Sequence, residues 1–205
     1  MVEFTASDYW KGIVLYGLNT ATYKMALARC LLTFAKSGEN LVQWDQLASS
    51  FYKEYRQRLL DHPMPQQAMR GRLTTLERIV KEETLGNINH SQAIENVASV
   101  LFNDVVPRFH TIGRDSEFAK NVFYETDFGK NLRLKDNLLL LGEKKFEELI
   151  DEVTSRWSLL EGAFSISQSQ NQYILANDIR DIYLKEGYAR TSLTPNKPFL
   201  EGYQG

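Results

Sequence analysis

The sequence predicts a mainly α-helical fold, a single bundle-like domain of about six to eight helices with a small β-hairpin. Apolar residues recur at three- and four-residue steps in several segments, which is the period of one helix face. Glycine and proline residues separate these segments, and one stretch before residue 135 loses the helical period. Hydrophobic residues are 43% of the 205-residue chain and aromatic residues 12%. This composition supplies a packed core and excludes wholesale disorder.

Four helices are predicted in the first half of the chain, over about residues 8–16, 20–36, 43–60 and 65–85. The second carries the clearest apolar stripe, at Ala21, Met25, Ala28, Leu31, Leu32 and Ala35. The third carries Leu47, Phe51, Tyr55 and Leu59 at four-residue steps. Two prolines, Pro63 and Pro65, end the third helix, and the fourth is expected to open at Pro65 because proline is tolerated in a first turn.

A fifth helix is predicted over about residues 92–106, and Pro107 is expected to terminate it because the residue before a proline avoids helical geometry. Beyond it the apolar period changes. Residues 123–125 and 132–134 resemble two short extended pieces joined through residues 127–130, which is the pattern of a β-hairpin.

The remaining elements are a helical turn over residues 138–141, a long helix over about 143–166 and a short helix over 177–185. The last residues, 186–205, contain two prolines and three glycines with few periodic apolar residues. That composition is typical of a linker or tail. The sequence is therefore divided into a helical domain over 1–185 and a tail over 186–205.

Charge and composition exclude several functional classes. The formal net charge is -2, so a strongly basic nucleic-acid coat is excluded, although a local basic face is not. One cysteine, Cys30, permits no internal disulfide and no cysteine zinc site. The three histidines are too far apart in sequence for a multi-histidine metal motif: His62, His90 and His110. The sequence contains no export signal and no apolar run of transmembrane length, which predicts a cytoplasmic protein with no membrane association.

Five basic residues are the candidates for nucleic-acid contact: Lys24, Arg108, His110, Arg133 and Lys135. Arg108 and His110 follow a helix and could contact a phosphate group there. The last two belong to a group of five bases around the hairpin, against four acids, so their segment has a net charge of only +1 (5 − 4). For each candidate a structural role remains open, as a helix–helix corner at Lys24, a packed loop histidine at His110 or a solvated hairpin.

Two further charged residues lie in the long helix. Arg156 and Glu161 are five residues apart and do not face each other as an i,i+4 pair would. Each is expected to meet a partner on another helix as part of a buried structural ion pair.

Four strings, taken in this order, resemble the helical N-terminal region of a group of bacterial HNH endonucleases. They are Tyr-Gly-Leu-Asn-Thr-Ala-Thr-Tyr-Lys at 16–24, Val-Pro-Arg-Phe-His-Thr at 106–111, Arg-Trp-Ser-Leu-Leu-Glu at 156–161 and Phe-Leu-Glu-Gly-Tyr-Gln at 199–204. The resemblance covers nearly the whole chain. In such proteins, a segment like the last string leads into the hairpin that opens the HNH nuclease module.

The resemblance implies that catalysis belongs to the HNH module and not to this helical region. An HNH module binds one divalent metal, and a histidine in it acts as general base for water attacking a phosphodiester. No residue of this chain matches those motif positions, so we expect no catalytic residue, no metal ligand and no cofactor here. The divalent metal is expected in a C-terminal HNH module, and the full-length protein is expected to be a metal-dependent endonuclease.

The expected function is therefore that of a non-catalytic N-terminal domain of an HNH-type DNA endonuclease, with a restriction or phage-defence role. It would contribute DNA engagement, dimerisation or regulation. Its expected partners are DNA, its own nuclease module and a second copy of the chain. The alternative is a stand-alone helical interaction or adaptor module with no nucleic-acid role. A third candidate is an enzyme with a site that the sequence does not reveal.

Overall fold

The computed structural model describes residues 4–17, 19–112, 121–127 and 131–170. The helices are α1 (Ala6–Val14), α2 (Tyr23–Lys36), α3 (Trp44–Asp61), α4 (Thr75–Thr84), α5 (His90–Val100), α6 (Val106–Arg108), α7 (Asp136–Lys144) and α8 (Phe146–Gln170). A π-helical turn, Leu101–Val105, joins α5 to α6. The strands are β1 (Leu41–Gln43), β2 (Tyr124–Asp127) and β3 (Asn131–Leu134). The predicted fold class, mainly helical with a small hairpin, is confirmed.

Helix starts follow local hydrogen-bonding chemistry. In α1 the Thr5 hydroxyl accepts from the Asp8 N–H, and the Asp8 carboxylate accepts from the Thr5 N–H in return. The same reciprocal cap opens α4 through Thr74 and Glu77, and α5 has an equivalent one. Each cap satisfies backbone donors that the first turn of a helix leaves without partners.

The core is built around α2, which packs against α3, α7 and α8. From Met25 to Ala28 every side chain of α2 is fully buried, so this helix lies inside the domain with no solvent face along that turn. The contact with α7 is close at Gly142, where an added Cβ would lie 2.5 Å from the Ala35 Cβ. Glycine at that position lets the two helix backbones approach.

The sheet is antiparallel, in the order β1–β3–β2. Arg133 of β3 lies opposite Leu41 of β1 and Glu125 of β2. Because side chains alternate between faces along a strand, Leu132 and Leu134 point into the core while Arg133 points outward. The predicted hairpin is confirmed, and β1 adds a third strand that the sequence pattern missed.

The fourth helix was predicted to begin at Pro65, and this is wrong: α4 begins at Thr75. The ten residues before it form a loop held in place by Gln66, whose side chain is fully buried. Its Oε1 accepts from the Thr22 hydroxyl at 2.5 Å and from the Trp157 Nε1 at 2.9 Å. A second barrier to a helix in this stretch is Gly71, which has a φ of +69°.

The expected stop at Pro107 is also wrong, because the helical path continues through it to Arg108. The π-helical turn before it resets the hydrogen-bond register, so Pro107 falls in the first turn of a new helical segment, where its missing N–H costs little. The predicted turn over 138–141 is part of a complete helix, α7. The predicted helix over 177–185 and the boundary at 185/186 lie outside the described residues.

Glu161 meets a partner on another helix, as expected from the sequence. The Arg58 Nε of α3 donates to the Glu161 Oε1 at 2.9 Å, and the Gln66 Nε2 donates to the same oxygen at 2.8 Å. Glu161 is 2% exposed, so this ion pair is buried and its carboxylate is fully engaged. Among the described helices, none has the length and apolar character needed to cross a bilayer.

Candidate nucleic-acid interface

An open cleft of about 490 Å³ lies where β3 passes into α7. Its walls are formed by Asn40, Arg133, Leu134, Lys135, Asp136, Asn137 and Leu139. Two of the five sequence-predicted contact residues, Arg133 and Lys135, therefore lie in one surface cleft. The strand alternation explains their shared direction, since residues two apart in an extended chain project to the same side.

Asn40, the residue before the edge strand β1, forms part of the cleft wall. The Asn40 carbonyl, just before β1, accepts from the Leu134 N–H at 2.8 Å, and the register pairs Leu41 with Arg133. On the other side, the Lys135 N–H donates to the Phe123 carbonyl at 2.9 Å. These backbone bonds fix both basic residues relative to the rigid sheet.

The two cations of the cleft differ in their local partners. The Lys135 ammonium lies 2.5 Å from the Glu125 carboxylate, and both side chains are solvent-accessible. Within the described part of the chain, no carboxylate lies within salt-bridge distance of Arg133. The Lys135–Glu125 ion pair is weak because it lies at the surface, so an incoming anion can replace Glu125 as the partner of Lys135. The Arg133 guanidinium can donate to an incoming oxyanion without breaking a described ion pair.

Arg108 lies at the end of α6, on a different element. Its side chain is 76% exposed, and its Nη1 lies 2.8 Å from the Asp104 carboxylate one turn earlier. This i,i+4 pair neutralises the charge that the sequence pattern offered for a phosphate contact. Arg108 is solvent-accessible, and it is not a wall of the cleft.

Lys24 lies in the interior. Its side chain is 8% exposed, and its Nζ donates to the Thr111 carbonyl at 2.8 Å. A Cβ added at Gly17 would lie 2.7 Å from that Nζ and 2.3 Å from the Ile13 carbonyl, so the ammonium is packed tightly against the end of α1. Burial, together with the nearby Arg156 guanidinium, lowers the pKa of Lys24 to about 8.

His110 lies beside this interior group and is also 8% exposed. Its ring is 4.4 Å from the Tyr124 ring, centre to centre, and stacks on Phe123. The Nε2 accepts from the Phe123 N–H at 3.4 Å, which is the role of a neutral imidazole. Burial, with the charges of Lys24 and Lys135, lowers the pKa of His110 to about 4. The ring is therefore neutral at pH 7.

The five predicted residues fall into three places: the cleft (Arg133, Lys135), a surface helix end (Arg108) and the interior (Lys24, His110). The interior pair is positioned to hold the α1–α2 corner against the segment that leads to β2. Sequence reasoning missed Asn40 and Asn137, which line the cleft. Asn40 is distant in sequence from the other walls of the cleft, and Asn137 is a single asparagine in the first turn of α7, so neither has a distinctive sequence signal.

The described residues contain no group of three or more His, Cys, Asp or Glu side chains placed to hold a metal ion. Cys30 is buried on α2, and burial raises the pKa of its thiol well above the usual value. It is a packed apolar side chain rather than a reactive thiolate. No protein-family model, curated protein or solved structure matches the chain.

Proposed function

We propose that this chain is the non-catalytic helical domain of an HNH-type DNA endonuclease, and that it engages the phosphate backbone of DNA through the cleft of Arg133 and Lys135. The observation that supports this most is the convergence of the two bases in one open cleft. The resemblance of the four sequence strings supplies the reaction class. A cytoplasmic restriction or phage-defence role is part of the same proposal.

The cleft has the chemistry of a weak contact with the phosphate backbone of DNA. Two cations with solvent access attract phosphate without reading base sequence. Asp136 and Glu125 lie beside them, so the local charge is nearly balanced. The affinity of this domain alone for DNA is therefore modest. Specificity and cleavage are then the task of the nuclease module, with its divalent metal, that the proposal places after residue 205.

Charge reversal in the cleft tests the DNA-binding part. The Arg133→Glu variant should bind duplex DNA at least about tenfold more weakly than the natural chain in fluorescence anisotropy at low salt. The matched control is Arg70→Glu, which makes the same charge change at an exposed position on the loop before α4. Equal losses in the two variants would show non-specific attraction and would contradict a role for the cleft.

The nuclease part is tested separately. The reading frame is expected to continue past Gly205 into a segment with the histidine and cysteine residues of an HNH module. The complete protein should cleave DNA only with a divalent metal, and the 205-residue chain alone should not cleave it. A stop codon directly after Gly205, or metal-dependent cleavage by the chain alone, would contradict the proposal.

The second candidate is a stand-alone protein-interaction module. Exposed apolar side chains favour it, among them Leu60, Met64, Met69 and Ile166. This candidate predicts no binding to duplex DNA even at low salt, which separates it from the first.

A further inference from the structure

The outer face of the second half of α8 carries no charge. From Thr154 to Ser169, every side chain with solvent access is uncharged: Thr154, Ser155, Ser158, Leu159, Gly162, Ser165, Ile166, Gln168 and Ser169. The first turns of the same helix are different, since Glu147, Glu148 and Asp151 are all exposed there. The uncharged face is about 24 Å long at 1.5 Å per residue.

The charged residues of this half are turned inward. Arg156 is 4% exposed and Glu161 is 2% exposed, and the latter is engaged by Arg58. At the near end of the face, the Arg29 of α2 donates to the Thr154 hydroxyl and to Glu54, so that charge is also paired. A solvated helix face in a chain that is 24% charged ordinarily carries lysine or glutamate. Depletion of charge is the signature of an interface core.

Two aliphatic side chains project from this face on either side of a glycine. Leu159 is 37% exposed and Ile166 is 39% exposed. Between them, a Cβ built on Gly162 would meet nothing within 4 Å. Glycine weakens the interior of a helix, and this one is not required by any contact inside the described fold. It does leave room for another backbone to approach.

Five residues along the middle of this face have a spacing that is nearly symmetric about Gly162. Ser155, Leu159, Gly162, Ile166 and Ser169 are spaced by four, three, four and three residues. When two such helices cross antiparallel at Gly162, Leu159 of one copy meets Ile166 of the other, and Ser155 meets Ser169. A two-fold interface requires this relation, because each contact must occur twice with the roles exchanged.

We propose that two copies of this chain associate through the uncharged face of α8, crossing antiparallel at Gly162. Electrostatics favour a second copy as the occupant. A face that meets itself must carry no net charge, since any excess is repeated on the partner, and this face satisfies that condition while the chain as a whole carries a net charge of -2.

The loop beside the face extends the contact area. The Gln168 Nε2 of α8 donates to the Gln67 carbonyl at 2.8 Å, so the loop before α4 lies against the end of this face. Met69 of that loop and Met64 just before it are exposed, and methionine adapts to irregular contacts. A stable dimer buries roughly 800 Å² per partner, so the loop adds to the area that the helix face offers.

The association is tested by analytical ultracentrifugation of the full chain over a range of concentrations. The natural chain should sediment as a dimer. The Leu159→Lys and Ile166→Lys variants should each raise the dimer dissociation constant by about 100-fold, because every substitution buries two like charges. The control is Leu85→Lys, at an exposed leucine directly after α4, which should leave the dimer dissociation constant unchanged. A monomeric natural chain, or an equal effect of the control, would overturn the proposal.

Cross-linking tests the orientation. Ser155→Cys mixed with Ser169→Cys should form a mixed disulfide under mild oxidation, whereas Ser155→Cys alone should not. Cys30 is buried and does not compete. Rapid self-linking of Ser155→Cys would show a parallel arrangement and would overturn the antiparallel one. If the natural chain is a monomer and the cysteines introduced at positions 155 and 169 are both protected from thiol reagents, the chain covers this face with its own residues. That result would also overturn the proposal. Neither result bears on DNA binding by the cleft.

Discussion

Charged side chains beneath the loop before α4 and charged side chains in the surface cleft have opposite surroundings. In the interior, Glu161 accepts from Arg58 and Gln66 and is almost fully buried. In the cleft, Arg133 faces open space, and Lys135 pairs with an accessible glutamate. The interior group has specific partners within the fold, whereas the cleft presents donors to solvent.

Because of this difference, substitutions at the two places should have different effects. A buried charged group that loses its partner retains its desolvation cost, so a substitution there lowers stability. An accessible charge loses little in the free protein and acts when a ligand arrives. Substitutions in the interior should therefore change the free energy of unfolding, and substitutions in the cleft should change binding.

The largest expected effect is at Glu161. Replacing it with alanine leaves the Arg58 guanidinium and the Gln66 amide without their common acceptor, and should lower the free energy of unfolding by about 3–5 kcal/mol. Urea denaturation measures this loss. The control is Glu148→Ala on the same helix, where an exposed glutamate pairs with Lys11 at 3.6 Å. That change should cost less than about 1 kcal/mol, and equal losses would contradict the distinction between interior and surface.

The next effect is a pH dependence carried by His110. Its folded pKa of about 4 lies below the unfolded value, so the unfolded chain binds more protons between about pH 4 and 6.5. Stability from this group is complete above about pH 6.5 and is lost as pH falls toward 4, by about 3 kcal/mol in all. Comparing urea midpoints of the natural chain with those of His110→Phe at several pH values isolates this contribution. Identical pH slopes would contradict burial of a neutral ring.

A smaller loss is expected at the glycine beside Lys24. Gly17→Ala places a Cβ 2.3 Å from the Ile13 carbonyl, which forces the α1–α2 corner apart and should cost about 1–3 kcal/mol. Gly162→Ala is the matched control, because its Cβ meets nothing within 4 Å. Measured by thermal unfolding at low protein concentration, the control should be neutral or stabilised by up to about 1 kcal/mol. A stable Gly17→Ala variant would mean that the corner is looser than described.

The smallest effect on stability belongs to the cleft. Arg133→Gln should change the free energy of unfolding by no more than about 0.5 kcal/mol, because the guanidinium is exposed and has no described ion pair to lose; glutamine also avoids the like-charge repulsion that a glutamate would meet from Glu125 on the neighbouring strand. Differential scanning calorimetry measures it. A larger loss would place Arg133 among the structural residues and remove it from the proposed interface.

The local part of the fold was predictable from the sequence. The apolar faces of α2 and α3 and the hairpin were predicted correctly because the spacing of apolar residues that indicates them is local in sequence. The start of α4 was missed although Thr74 and Glu77 carry a capping signature. The earlier prolines competed with it, and the interaction that holds the loop open, from Gln66 to Trp157 of α8, spans 91 residues.

The candidate site was only partly predictable, for a similar reason. Arg133 and Lys135 are two residues apart, and strand geometry is enough to put them on one side. Lys24 and His110 gave a comparable sequence signal, but their burial depends on helix ends that pack together across the fold. Strand β1 has three residues, and only its register with β3 identifies it as a strand.

The salt dependence of DNA binding tests the central claim most directly. Two phosphate contacts predict that the logarithm of the binding constant falls with the logarithm of salt concentration at a slope of about −1.8, or roughly 12-fold between 50 and 200 mM. Arg133→Gln should reduce the slope to about −0.9. An unchanged slope in that variant, or no binding of the natural chain at 50 mM salt, would contradict phosphate engagement by the cleft.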